Sequence, residues 1–122
     1  MYRIENKNIY VNRGDKITIF IVNNRDTFRI GDKITFYICE EGDYSTVILQ
    51  KDFNIDEYSD TVGINLTSEE TRIGEPLKTG SRTYWYEIEL NEDTTLVGYD
   101  KKGPKLFILY PEAKRIEEGG GE

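Results

Sequence analysis

Five runs of the chain carry their apolar side chains with a period of two: KITIFIVN at Lys16 to Asn23, KITFYICE at Lys33 to Glu40, TVGINL at Thr61 to Leu66, TYWYEIEL at Thr83 to Leu90 and KLFILYP at Lys105 to Pro111. An amphipathic helix would need a period near 3.6, whereas a strand sends successive side chains to opposite faces, so each run is predicted to be a strand. Isoleucine, tyrosine, phenylalanine and threonine dominate these runs, a composition that suits a pleated surface packed on at least one side. NIYVN at Asn8 to Asn12, TVILQ at Thr46 to Gln50 and TLVGY at Thr95 to Tyr99 add three shorter candidates.

Turn chemistry separates the runs. NNRDT (Asn23 to Thr27), EEGD (Glu40 to Asp43) and DKKG (Asp100 to Gly103) supply Gly, Asn and Asp, which tolerate positive φ or bond locally to the backbone. DKKGP reads as a hairpin loop, with Gly103 left-handed and Pro104 opening the last strand. GDKIT occurs at Gly14 to Thr18 and again at Gly31 to Thr35, each time before an apolar run. A phosphate loop would lead into a helix, so the repeat is read as one strand-starting device used twice. One helical piece is predicted, TSEETRIG at Thr67 to Gly74, with Thr67 or Ser68 as cap, Glu69 and Glu70 at its positive end and Gly74 as stop.

Short strands at this spacing predict an all-β fold, an immunoglobulin-like antiparallel β-sandwich of about 7–9 strands with one short helical turn. The order of TVGINL, a turn and an aromatic strand matches strands E and F of such domains, with Tyr84 at the corner where a tyrosine is characteristic. The 122 residues suit one domain, expected over 1–116, followed by a flexible tail at 117–122 that ends in GGGE.

Composition narrows the function classes. A net charge of −7 with scattered basic residues disfavours nucleic acid as a partner. The chain has no histidine, which removes the commonest general base and transition-metal ligand, and its one cysteine, Cys39, cannot form an internal disulfide. No cofactor or metal is expected. No apolar run approaches the roughly 18 residues of a membrane span, and no export segment is read at Met1, so no membrane partner is expected and synthesis is placed in the cytoplasm.

The tripeptide Arg13-Gly14-Asp15 is read as a turn before a strand, and the sequon Asn65-Leu66-Thr67 as part of one. Asp56-Glu57 and Glu92-Asp93 lack the spaced pattern of a calcium loop. Glu87 and Glu89 point to one sheet face, a spacing that permits two-carboxylate hydrolysis but is more simply a solvated face, so the chain is read as no enzyme.

Alternation leaves a different candidate. In Thr83 to Leu90 the core set is Tyr84, Tyr86, Ile88 and Leu90, which turns Trp85 outward. In the last strand Leu106, Ile108 and Tyr110 are assigned to one side, and Phe107 and Leu109 to the outward one. With Val97 and Tyr99 from the intervening strand, Trp85, Phe107 and Leu109 form a candidate interface. Its occupant is left open between a protein, a carbohydrate stacked on aromatic rings, and loops of this same chain.

The succession of an RGD turn entering a strand, FRIGDKITFYI, INLTSEETRIG, YWYEIELN and GPKLFILYPE spans Asn8 to Glu112. In that order the motifs resemble small β-sandwich domains of tailed-bacteriophage structural proteins, especially the immunoglobulin-like N-terminal domain of upper baseplate proteins from phages and prophages of Gram-positive bacteria. The resemblance implies a non-enzymatic virion component of the tail or baseplate, attached to other tail and baseplate proteins, with Phe28 to Ile38 and Tyr84 to Asn91 as scaffold. Relatives carry long helices or fibre segments that build trimers; this sequence ends in EEGGGE instead, which leaves homo-oligomer formation open. The family brings no catalytic residues to transfer.

Overall fold

The computed structural model describes residues 2–23 and 27–112, which form nine strands and no helix. They are β1 (Tyr2–Glu5), β2 (Asn8–Asn12), β3 (Ile17–Val22), β4 (Lys33–Glu40), β5 (Asp43–Asn54), β6 (Thr61–Leu66), β7 (Arg82–Leu90), β8 (Thr94–Val97) and β9 (Lys105–Tyr110). One sheet runs β1-β2-β9-β7-β4-β5, with β8 added along the second half of β7; the other holds only β3 and β6. The order β9-β7-β4-β5 is that of strands G, F, C and C′ in immunoglobulin-like sandwiches, and β3-β6 is that of B and E.

The sandwich is mixed rather than wholly antiparallel, because β2 lies parallel to β9 with Ile9 opposite Phe107 and Val11 opposite Leu109. The GDKIT turns act as strand starts: Gly14 and Gly31 have φ of +89° and +97°, a region open to glycine, and strands follow at Ile17 and Lys33. Positions 24–26 of the NNRDT turn and the expected tail at 117–122 lie outside the described residues.

The core fills the space between the sheets. From the large sheet come Ile9, Val11, Ile34, Phe36, Ile38, Tyr84, Tyr86, Ile88, Phe107 and Leu109, and from the small one Ile17, Ile19, Ile21, Ile64 and Leu66. Phe36 sits centrally, its ring 5.7 Å from that of Tyr86 and 6.4 Å from that of Phe107. The outward assignment of Phe107 and Leu109 is thereby corrected: they are 0% and 1% exposed, because the register sets Phe107 beside both Tyr84 and Ile9 on the inner face. Leu106, opposite Trp85, takes the outer one.

The expected helix at Thr67 to Gly74 is a single hydrogen-bonded turn. Thr71 N–H reaches Thr67 O at 3.1 Å and Arg72 N–H reaches Glu69 O at 3.1 Å, but no ladder follows. A reciprocal capping box nonetheless closes it: Thr67 N–H donates to Glu70 Oε1 at 2.9 Å and Glu70 N–H to Thr67 Oγ1 at 3.1 Å. The turn ends at Gly74, whose backbone is left-handed at φ +71°. Thr71, fully buried, accepts from Gly14 N–H at 3.0 Å and donates to Asp15 O at 2.9 Å.

Arg13 donates to the carbonyls of Arg72 and Gly74 at 2.9 and 3.1 Å, and Arg72 grips the Glu112 carboxylate with two nitrogens at 3.2 and 3.1 Å. The Arg13-Gly14-Asp15 tripeptide is thus a clamp between the turn and the end of β9. The Arg13 side chain, 12% exposed, is held within the fold and is not displayed for a receptor.

Candidate functional site

The five residues predicted to share a patch lie in three places. Phe107 and Leu109 are in the core. Val97, opposite Ile88, packs half-buried against the core at the open side of the sandwich. Only Trp85 and Tyr99 meet on the outer face of the large sheet, with ring centres 5.9 Å apart. There they are joined by Tyr44, whose ring lies 5.1 Å from Trp85. The sequence reading missed Tyr44 because it follows the EEGD turn; the Glu40–Asp43 pairing of the hairpin is the signal that brings it back over β4.

Beneath this cluster Cys39 is buried, its thiol pushed up to about 11 by desolvation, with Glu87 and Asp43 adding to it. Tyr44 Oη is buried without a hydrogen-bond partner among the described residues, and desolvation, aided by the Glu87 charge, pushes its hydroxyl up to about 12. Glu87 is raised by desolvation and then by the neighbouring Glu89. The rings are inclined to Trp85 by 52° for Tyr44 and 61° for Tyr99, so the three do not share a plane.

A second apolar surface comes from the pairing pattern. In a four-stranded immunoglobulin sheet strand A flanks B and strand D flanks E, whereas here β2 pairs with β9 and the small sheet stops at β3 and β6. On the β6 side Lys51 reaches across from β5 and bonds Asn65 O at 2.7 Å and Glu70 Oε1 at 2.7 Å, which blunts that edge with a charge.

Among the described residues no strand pairs with the β3 side. Asn23 N–H bonds Asp60 O, so in this register Ile17, Ile19 and Ile21 bond towards β6 while the backbone groups of Thr18, Phe20 and Val22 turn away from it. Beside that edge runs a groove of about 620 Å³ walled by Phe20, Val22, Ile4, Ile88, Leu96 and Val97 among others. Phe20, Val22 and Ile4 are 67%, 53% and 44% exposed.

A third feature, a groove of about 840 Å³, lies between the β1–β2 turn and the β8–β9 loop and is lined by four lysines, one acid and three neutral residues. Glu87 and Glu89 line neither groove. Among the described residues no group of three or more His, Cys, Asp or Glu side chains could hold a metal ion, and no helix is long and apolar enough to cross a membrane. Comparison with protein-family models, with curated proteins and with solved structures finds no match.

Proposed function

We propose that this domain is a non-enzymatic attachment module of a phage or prophage tail or baseplate, and that it grips another virion protein by receiving an extended segment along β3. The observation that carries the docking is the edge of β3, unpaired among the described residues: strand edge and apolar groove lie side by side where a further strand would complete the small sheet. Main-chain bonds to Thr18, Phe20 and Val22 would supply affinity, and the groove would select alternate apolar side chains of the incoming segment. The tail or baseplate setting rests on the motif order from the RGD turn to GPKLFILYPE.

Carbohydrate stacking on the outer face is the weaker alternative, since the inclined rings of Tyr44, Trp85 and Tyr99 offer no common plane to a sugar ring. The test is binding of the purified domain to each tail and baseplate protein encoded beside its gene, with Phe20→Lys/Val22→Lys and Trp85→Ala as variants. Both lysines replace exposed side chains, so each should change stability by no more than about 0.5 kcal/mol. The expected result is a loss of affinity of roughly tenfold or more in the double lysine variant, with Trp85→Ala unchanged. A glycan-array signal abolished by Trp85→Ala, or a bound tail protein indifferent to the double variant, would overturn the proposal.

A further inference from the structure

The lysine-walled groove is an electrostatic exception in a chain of net charge −7. Lys7, Lys101, Lys102 and Lys105 line it with one acid, Asp100, and with Asn6 and Asn8. The fold builds this concentration from two turns. Asn6 and Lys7 occupy positive φ of 53° and 66° in the β1–β2 hairpin, whose Lys7 carbonyl is fixed by Tyr86 Oη. The Asp100–Gly103 bridge closes the facing loop, with Gly103 at φ +98°.

Lys105 is the built part of the groove. Its side chain is 7% exposed, and its ammonium donates to Asp100 Oδ1 at 2.9 Å and to Gly103 O at 3.1 Å. An ammonium has three donors, so one remains without a partner among the described residues. Asp100 accepts from Lys105 and from Lys102 N–H, both through Oδ1, and these bonds hold its carboxyl below the usual range. Lys7, Lys101 and Lys102 are exposed and make no ion pair among the described residues. Asn8 accepts Leu106 N–H through Oδ1 at 3.0 Å, which leaves its amide nitrogen to donate. The groove therefore offers donors and positive charge in excess, four ammonium groups against one carboxylate that is bonded through Oδ1.

We propose that this groove is a binding site for a small phosphate-bearing anion. Ammonium groups serve phosphate as point charges, and several of them around one concavity suit a group that carries two or more negative charges. A free phosphate and a phosphate ester share this chemistry.

The test is titration of the full chain with inorganic pyrophosphate and, separately, with glucose 6-phosphate, followed by backbone amide NMR. Saturable shifts confined to residues 6–8 and 100–105 are expected, and the tighter of the two probes distinguishes a free anion from an ester. Lys101→Gln/Lys102→Gln should weaken binding roughly tenfold, and the corresponding double arginine variant should retain it. Binding should also weaken from about 0.1 M to about 1 M NaCl, where the Debye length falls from about 10 Å to about 3 Å. Absence of saturation with both probes, or the same affinity in the double glutamine variant, would overturn the proposal. Both glutamines replace exposed side chains, so folding is not at issue in the comparison.

Discussion

Thr71 Oγ1 takes the Gly14 N–H and gives its proton to Asp15 O at a position with no solvent access. Thr71→Val keeps the shape of the side chain and removes both of these hydrogen bonds, which should cost about 1–3 kcal/mol in urea unfolding, with Thr71→Ser recovering most of it. Gly74 poses a steric constraint instead. A Cβ there would stand 2.2 Å from Tyr84 Oη and 2.7 Å from Arg82 Nη1, at φ +71°. Gly31 shares the left-handed backbone, at φ +97°, but has nothing within 4 Å of such a Cβ. Gly31→Ala should therefore show the backbone cost alone, about 1 kcal/mol, and Gly74→Ala should exceed it by a further 1–3 kcal/mol or so from the clash, read as the difference in urea midpoints. The glycine that the sequence suggested as a helix stop is, at this scale, the floor under the corner tyrosine.

The Thr67–Gly74 turn, which follows β6, is tied to β5 through the Glu70–Lys51 pair, and this makes it sensitive to acid. Burial works against the Glu70 charge but is outweighed by the bonds from Lys51 and Thr67, so its carboxyl lies below the ordinary 4.5. A carboxyl lowered by folding stabilises fully above its unfolded value, and that contribution is lost as pH falls through the folded one. Urea midpoints of the native chain should accordingly fall below pH 4.5, and Glu70→Gln should flatten part of that slope, with Asp32, Asp43 and Asp100, also lowered, supplying the remainder. Strands were the most legible elements in the sequence: KITFYICE and TVGINL coincide with β4 and β6, and NIYVN with β2, since period-two alternation between turn residues has one structural meaning. β1 was missed because Tyr2–Glu5 is too short to show a period. β9 misled for another reason. Both of its faces are apolar, so alternation separates Phe107 and Leu109 from Leu106 and Ile108 without saying which set is inside; the partners Ile9 and Tyr84 decide it, and pairing is not written in a single strand. The candidate site was the least legible part, because the β3 edge and the lysine groove arise from what fails to pair and from two turns more than ninety positions apart.

Across the whole molecule the second and last strands lie side by side in the large sheet, and closing that sheet requires the chain to bring Ile9 to Phe107. Ile9 is fully buried against this seam, so Ile9→Ala should cost about 2–5 kcal/mol, a large part of a domain's usual 5–15, measured by thermal or urea unfolding. Such distant pairing is slow to find, and refolding followed by fluorescence of the single Trp85 should take milliseconds to seconds. The β2–β9 seam also has a mechanical meaning for a module linked at both ends. Because the two strands point the same way, a pull that has peeled β1 from β2 and acts on the start of β2 and the end of β9 drags these two lengthwise past each other, so that their rungs share the strain and give way together instead of peeling one by one. A domain wired in this manner resists tension along the chain far better than tension applied across it.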